Sequence, residues 1–318
     1  MKLKEWCSLY FRDIQNLHII RKEINDPGCA KDRLSTELIR NTHSIEKGLS
    51  LKDPRPGFGR QKLKNMMTYI PVLAQSNQSF HKQAVQMALD CMRSYTQLQR
   101  TNNTADELTE EVERFLLQYP SDHAGSTYGG TKTITKEELT FDQEEIERFF
   151  RTRHSVRDFS GEPVDPEIIR KAIALAQTAP SACNRQGYRC YVITGHGRKE
   201  MQEWLHGVGG VQEAEGTAFI LVTSKLSAYR EGEAAQHPVS ASIFAGYLAL
   251  TLHLYGLGVC ILQRSVSFSP QFHKLRSVFG AGADEHPVVV LCAGNLKEEF
   301  TVPVSHRMNP EDIAVFLK

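Results

Sequence analysis

APSACNRQGYRCYVI, residues 179–193, leaves a helix at Ala179, turns through Pro180, Ser181, Asn184 and Gln186, and extends as a strand from Tyr188. Working outward, DPEIIRKAIALAQTA before it reads as a helix, with Asp165 as N-cap and Pro166 at the first helical position. After it, residues 217–224, 258–262 and 287–294 read as short, mostly buried strands. Helices are expected between them, at about 198–206, 238–256 and 269–279. The second half of the chain is therefore an α/β or α+β domain.

RTRHSVRDFSGEP, residues 151–163, crowds Arg151, Arg153, His154 and Arg157 round Ser155. Guanidinium forks and a hydroxyl suit phosphate oxygens, but a cationic helix end facing its own dipole has the same residues. Bulk charge argues against nucleic acid and anionic membrane: 38 Lys and Arg stand against 37 Asp and Glu, a net charge of +1. Composition is that of a globular protein, at 41% hydrophobic and 24% charged. Seven cysteines without C-x-x-C pairing fit a reducing cytosol, and no His/Cys set has zinc spacing. Helical spacing in residues 6–24, broken by charges, argues against an export signal. The apolar run 243–262 is interrupted by Gly256 and Gly258, which makes it a buried helix entering a strand rather than a membrane span.

The first half reads as helices. Phe80, Ala84, Met87, Cys91, Tyr95 and Leu98 recur at three- and four-residue steps. Gly48 is expected as a helix C′ residue, followed by a rigid loop that serves either as a surface turn or as a lid carrying Lys47, Arg55 and Arg60. Residues 119–140 are poor in core residues and read as a linker between a helical region, 1–118, and a second domain, 141–318.

Four segments, in order and spacing, carry a resemblance: RHSVRDF, APSACNRQGYRCYVI, LALTLHLYGLGVCIL, and VVVLCAG leading to HRM. Over residues 141–318 the chain resembles the nitroreductase family of FMN-dependent oxidoreductases. The resemblance implies an α+β fold, a central mixed sheet flanked by helices, here preceded by a mainly helical region. It implies that Arg153, Ser155 and Arg307 hold the FMN phosphate, that His154 lies along the ribityl-phosphate arm, and that Arg157 stands near the pyrimidine edge of the ring. Pro180, Ser181 and Asn184 would come from the partner of a homodimer, Gln186 would also belong to the cofactor set, and the strand from Cys260 to Gln263, with Leu262 and Gln263 as contacts, would pass the ring and offer backbone N–H groups. Three positions depart from the family pattern: Gly187–Tyr188 stands where Pro-Trp is common, Ser305 where a basic residue is, and Gln263–Arg264 where small or acidic residues are.

The implied activity is hydride transfer from NAD(P)H through FMN to an electron-poor small molecule, such as a nitro compound or quinone. The flavin carries the chemistry, and no side-chain catalyst is expected beyond the tuning charge of Arg157. A specialised biosynthetic flavin dehydrogenase or oxidase, and a non-catalytic flavin-binding scaffold, are the alternatives. No metal site is expected from His43 and Glu46, His253 is expected to be a satisfied structural histidine, and Cys183 a small buried packing residue. GVGG, at 207–210, lacks the context of a dinucleotide fingerprint.

Overall fold

The computed structural model describes residues 11, 14, 17–18, 20–120, 128–195, 201, 216–262 and 270–317. Its first part is helical: α1 (Ala30–Leu49), α2 (Arg60–Ala74), α3 (Ser79–Thr101) and α4 (Glu107–Leu116). These pack round Leu38, Ile45, Leu63, Met66, Met92 and Tyr95, each fully buried. The apolar stripe read on α3 does enter this core, and Asp106 caps α4 by accepting the Thr109 N–H at 3.0 Å.

Gly48 is the exception to the sequence reading. It lies inside α1, which runs one residue further to Leu49. A Cβ there would meet the Phe58 ring at 2.1 Å, so close approach of a loop ten residues on, and not a left-handed C′ conformation, requires the glycine. Phe58 in turn sits edge-on to Tyr95, with ring centroids 5.2 Å apart. Within the expected linker, Tyr128 donates its N–H to Asp90 and Gly130 donates to Glu46, so this stretch lies along α1 and α3.

The second part begins with α5 (Gln143–Thr152) and α6 (Pro166–Ala176), where Asp165 accepts the Glu167 N–H as the sequence implies. A four-stranded sheet follows, made of β1 (Tyr188–Ile193), β2 (Ala218–Lys225), β3 (Leu257–Leu262) and β4 (Glu285–Asn295) in the order β1-β2-β4-β3. Among the described residues all three strand pairings are antiparallel, and the mixed character comes from a single parallel bridge, Ser155 to Val259. One face carries α6 and α7 (His237–Leu254) over Ile220, Val222, Val259 and Leu291. The other packs Phe219, Leu221, Cys260 and Val290 against Leu275 and Phe279 of α8 (Pro270–Phe279). Alternate residues of β2, β3 and β4 thus enter opposite cores, which is why these strands read as continuous apolar runs. The helix expected at 198–206 falls outside the described residues except for Met201, which is helical and buried. Among the described residues no helix is long and apolar enough to cross a membrane.

The two parts meet along α1. Lys225 reaches Asp32 at 2.7 Å, Arg230 grips Glu37 through two hydrogen bonds, and Ile20 and Ile24 join Leu226, Ala228 and Tyr229 in a small core.

Candidate functional site

The cation cluster is set by where α5 stops. Arg153 leaves helical geometry at ψ 113°, and the Thr152 hydroxyl lies 3.1 Å from His253 Nε2. The chain then runs beside β3, with the Val156 N–H donating to the Val259 carbonyl at 3.0 Å. Arg153, His154, Ser155 and Arg157 therefore line one edge of the sheet, all half-buried. This approach requires Gly258, whose Cβ would stand 3.0 Å from Val156 and 2.7 Å from Leu296. Arg157 donates to the Ser155 carbonyl at 3.3 Å. Burial pushes the Cys260 thiol up, and the Arg157 charge partly opposes this. Burial lowers His253, and the nearby charges of Arg153 and His154 push the same way against a backbone hydrogen bond at Phe149. His253 is thus a partnered, half-buried histidine beside the Phe149 ring, as expected of a structural one.

The bridge also decides which β3 groups face outward. Since the Val259 carbonyl points away from β4, strand alternation turns the backbone groups of Ile261 outward too and those of Leu262 toward Val290. Leu262 is buried, while the Ile261 side chain is 45% exposed. Among the described residues of the run expected to pass a ligand, 260–263, Ile261 is thus the residue that turns both its backbone and its side chain outward. Gln263 lies outside the described residues.

The turn before β1 is the second half of the candidate site. Cys183, Asn184 and Gln186 have φ of 52°, 54° and 49°, a cluster of left-handed residues without glycine. Such strain persists only where surroundings over-determine it, and it gathers at ligand sites. Here the Ser181 hydroxyl accepts the Gln186 N–H at 3.0 Å, and the Ala182 N–H donates to Ser240 of α7. Cys183 is half-exposed rather than buried, and its backbone is left-handed. The strongest restraint is Arg185, only 3% exposed. It donates to the carbonyls of Ala182 and Ala228 and to Glu233 at 2.7 Å, and its guanidinium lies over the Tyr229 ring. Sequence reasoning passed over it, although a cation inside a left-handed turn next to Asn184 was the available signal. Helix α1 packs against this same turn.

The two halves do not meet within one chain. The turn precedes β1 and the cations flank β3, which are opposite edges of the sheet. Three inter-strand steps separate them, roughly 14 Å. Pro180 is exposed, and Ser181, Asn184 and Gln186 are half-buried on their own edge. Arg307 is exposed and bonds only the Ser305 carbonyl among the described residues. The 41–60 loop is folded onto its own helices, with Gly57 donating to Gln99 and Arg60 held by Asp106. One further cluster, Cys29, Asp32 and Asp284, has metal-like spacing. Burial and then the neighbouring acids push the Cys29 thiol up to about 11, and Asp32 is already bound by Lys225 and His81.

Residues 150–217 match the family model described as the Nitroreductase family, so this segment carries nitroreductase-family sequence. Over 56 residues, 18% of this chain, it is 39% identical to a nitrobenzene nitroreductase of Ectopseudomonas oleovorans and 36% to a chloronitrobenzene nitroreductase of Comamonas testosteroni. The match spans about a quarter of the length of these curated relatives (25% of each). Solved structures of similar fold include a nitroreductase family protein from Streptococcus pneumoniae, 19% identical, covering 54% of this chain and 100% of that one at a TM-score of 0.44. A nitroreductase with bound FMN from Desulfitobacterium hafniense is 18% identical, covering 55% and 98% at 0.43.

Proposed function

We propose, from a segment of nitroreductase-family sequence that contains both the cation cluster and the strained turn, that this protein is an FMN-dependent oxidoreductase working as a homodimer. It passes hydride from NAD(P)H to an electron-poor small molecule such as a nitro compound or quinone. The carrying observation is that the two halves of the site lie on opposite edges of one sheet, the arrangement that calls for a second copy to bring them together. Exposed apolar side chains at Phe141, Ile146, Phe150, Ile243, Tyr247 and Phe316 support such a pairing.

The donor set fits the cofactor. Arg153 and Ser155 would hold its phosphate, His154 would lie along its ribityl-phosphate arm, and Arg307 would close the phosphate site. Bound FMN supplies hydride acceptance and donation. Arg157, restrained by the Ser155 carbonyl, supplies a preorganised positive charge for the ring edge on which negative charge develops. The outward backbone of Ile261 offers a hydrogen bond at the strand edge, and its side chain an apolar surface. From the partner, Pro180, Ser181, Asn184 and Gln186 would cover the ring and exclude water. We take residues 141–318 as the flavin domain, 1–118 as an added helical region and 119–140 as the connection, in a cytoplasmic protein whose seven cysteines are unclustered.

One observation favours a specialised biosynthetic dehydrogenase or oxidase over a general reductase: α1 of the added region packs directly on the flavin turn. The test is the purified full-length protein. It should carry or take up FMN, be reduced by NAD(P)H, and run as a dimer. Protein that neither retains nor rebinds FMN refutes the reading, and bound flavin that no nicotinamide reduces refutes NAD(P)H as the hydride donor.

A further inference from the structure

The seam between the helical region and the second part contains a cavity of about 530 Å³ that the flavin reading does not use. Its size is that of a small-molecule site, but its wall is of unusual chemistry. Four cations line it, Arg40, Arg60, Lys62 and Arg230, against a single carboxylate, Glu37. Arg40 and Arg230 share that carboxylate: Glu37 Oε1 accepts from Arg40 at 2.7 Å and from Arg230 at 2.9 Å, and Oε2 accepts a second Arg230 hydrogen bond at 2.6 Å. Arg60 is held by Asp106, which lies outside the wall. Lys62 has no ion-pair partner among the described residues. Even with Asp106 counted, the wall keeps a surplus of two positive charges. Arg40 and Lys62 are half-buried and Arg60 and Arg230 exposed, and cations gathered round one cavity favour a bound anion, an attraction that salt weakens.

The remaining wall specifies the body of that anion. No aliphatic side chain lines the cavity among the described residues. Asn41 is only 8% exposed, and its amide donates to the Glu37 carbonyl at 2.7 Å, which leaves its oxygen and second N–H for another partner. The Tyr69 hydroxyl and the Gln61–Asn65 amide pair, joined at 3.0 Å, add further donors and acceptors. A hydrocarbon-rich acid would find only the Tyr69 ring and the methylene stems of the cations, whereas hydroxyl groups would find both donors and acceptors. We propose that this seam cavity binds a small hydroxyl-bearing acid, a polyol carrying one carboxylate or phosphate, with the acidic group between Lys62, Arg40 and Arg230. The site stands independently of the flavin.

Calorimetric titration of the full-length protein with glucose 6-phosphate, gluconate, inorganic phosphate and sorbitol tests it. One of the two polyol acids should bind once per chain, about tenfold or more tighter than phosphate or sorbitol, and less tightly as salt is raised. Which of the two wins identifies the acidic group. Lys62→Glu, which disturbs no ion pair in the structure, should weaken that binding by about tenfold or more, with the thermal melt and flavin content unchanged. Lys62→Ala should fall between. Absence of binding by either polyol acid at about 10 mM, equal binding of sorbitol, or unchanged affinity in Lys62→Glu overturns the proposal.

Discussion

Acid should loosen this protein well before its carboxylates are protonated. His237 opens α7 and His286 lies near the start of β4, 5% and 8% exposed, with ring centroids 4.5 Å apart and Tyr229 edge-on to His237. His237 Nδ1 is buried without a hydrogen-bond partner among the described residues, and burial lowers this histidine from 6.5 to about 4. His286 is lowered in the same direction, by burial first and then by the charges of His237 and Arg276. Both rings are therefore neutral in the folded protein and take up protons on unfolding. Their contribution is fully present above the unfolded value and is lost as pH falls toward the folded one. Between about pH 7 and about pH 5 His237 alone should remove about 2 kcal/mol, and His286 acts in the same sense. The acids held below their ordinary range, where hydrogen bonds and cationic partners outweigh the opposing effect of burial, include Asp32, Glu37, Asp106, Glu113 and Glu233. They lose their contribution only below that window. Urea unfolding followed by circular dichroism at the two pH values should show the midpoint falling by about 1 M at unchanged slope. The His237→Gln, His286→Gln double variant should show most of this shift removed. A wild type that loses no more stability across the window than the double variant refutes the reasoning.

Arg185→Ala removes a buried cation and the restraint on three left-handed residues. It should cost about 3 kcal/mol or more and raise the Kd for FMN, read by thermal melt and flavin titration. Gly258→Ala should push Ser155 and Val156 off the β3 edge and weaken FMN binding by about tenfold, since the added Cβ meets the Val156 Cβ, which is fixed to the backbone, as well as the end of the Leu296 side chain. Arg157→Ala should keep FMN bound but slow flavin reduction by NAD(P)H, with Arg157→Lys intermediate, because a point charge is retained without the planar fork. Stopped-flow absorbance separates the two effects. Gly48→Ala should destabilise the helical region by roughly 1–3 kcal/mol through the Phe58 ring, without altering flavin content.

Much of the secondary structure was legible because its causes are local. Asp165 before Pro166 marks the start of α6, and the β-branched and apolar runs mark all four strands to within two residues. The site was legible as residue types: three arginines, a serine and a turn with Asn184. Local pattern ran out wherever a distant segment decides the outcome. Gly48 looks like a helix terminator until Phe58 is seen against it, and which residue of the run 260–263 faces out is not readable until the Val156–Val259 hydrogen bond sets the outer side of β3. Arg185 has the composition of a ligand contact, yet its guanidinium is consumed by the Ala182 carbonyl and by a carbonyl and a carboxylate more than forty residues away.

The sequence by itself thus determined the elements, their caps and the chemical types in the candidate site, since these follow from spacing and side-chain chemistry within a few residues. Only the tertiary structure decided that the cations and the turn occupy opposite edges, and that Arg230 closes a charged cavity with α1 and α2. Strand order and helix docking are set by hydrogen-bond ladders and buried surfaces between segments far apart in the chain, and no local pattern encodes which of those segments will meet.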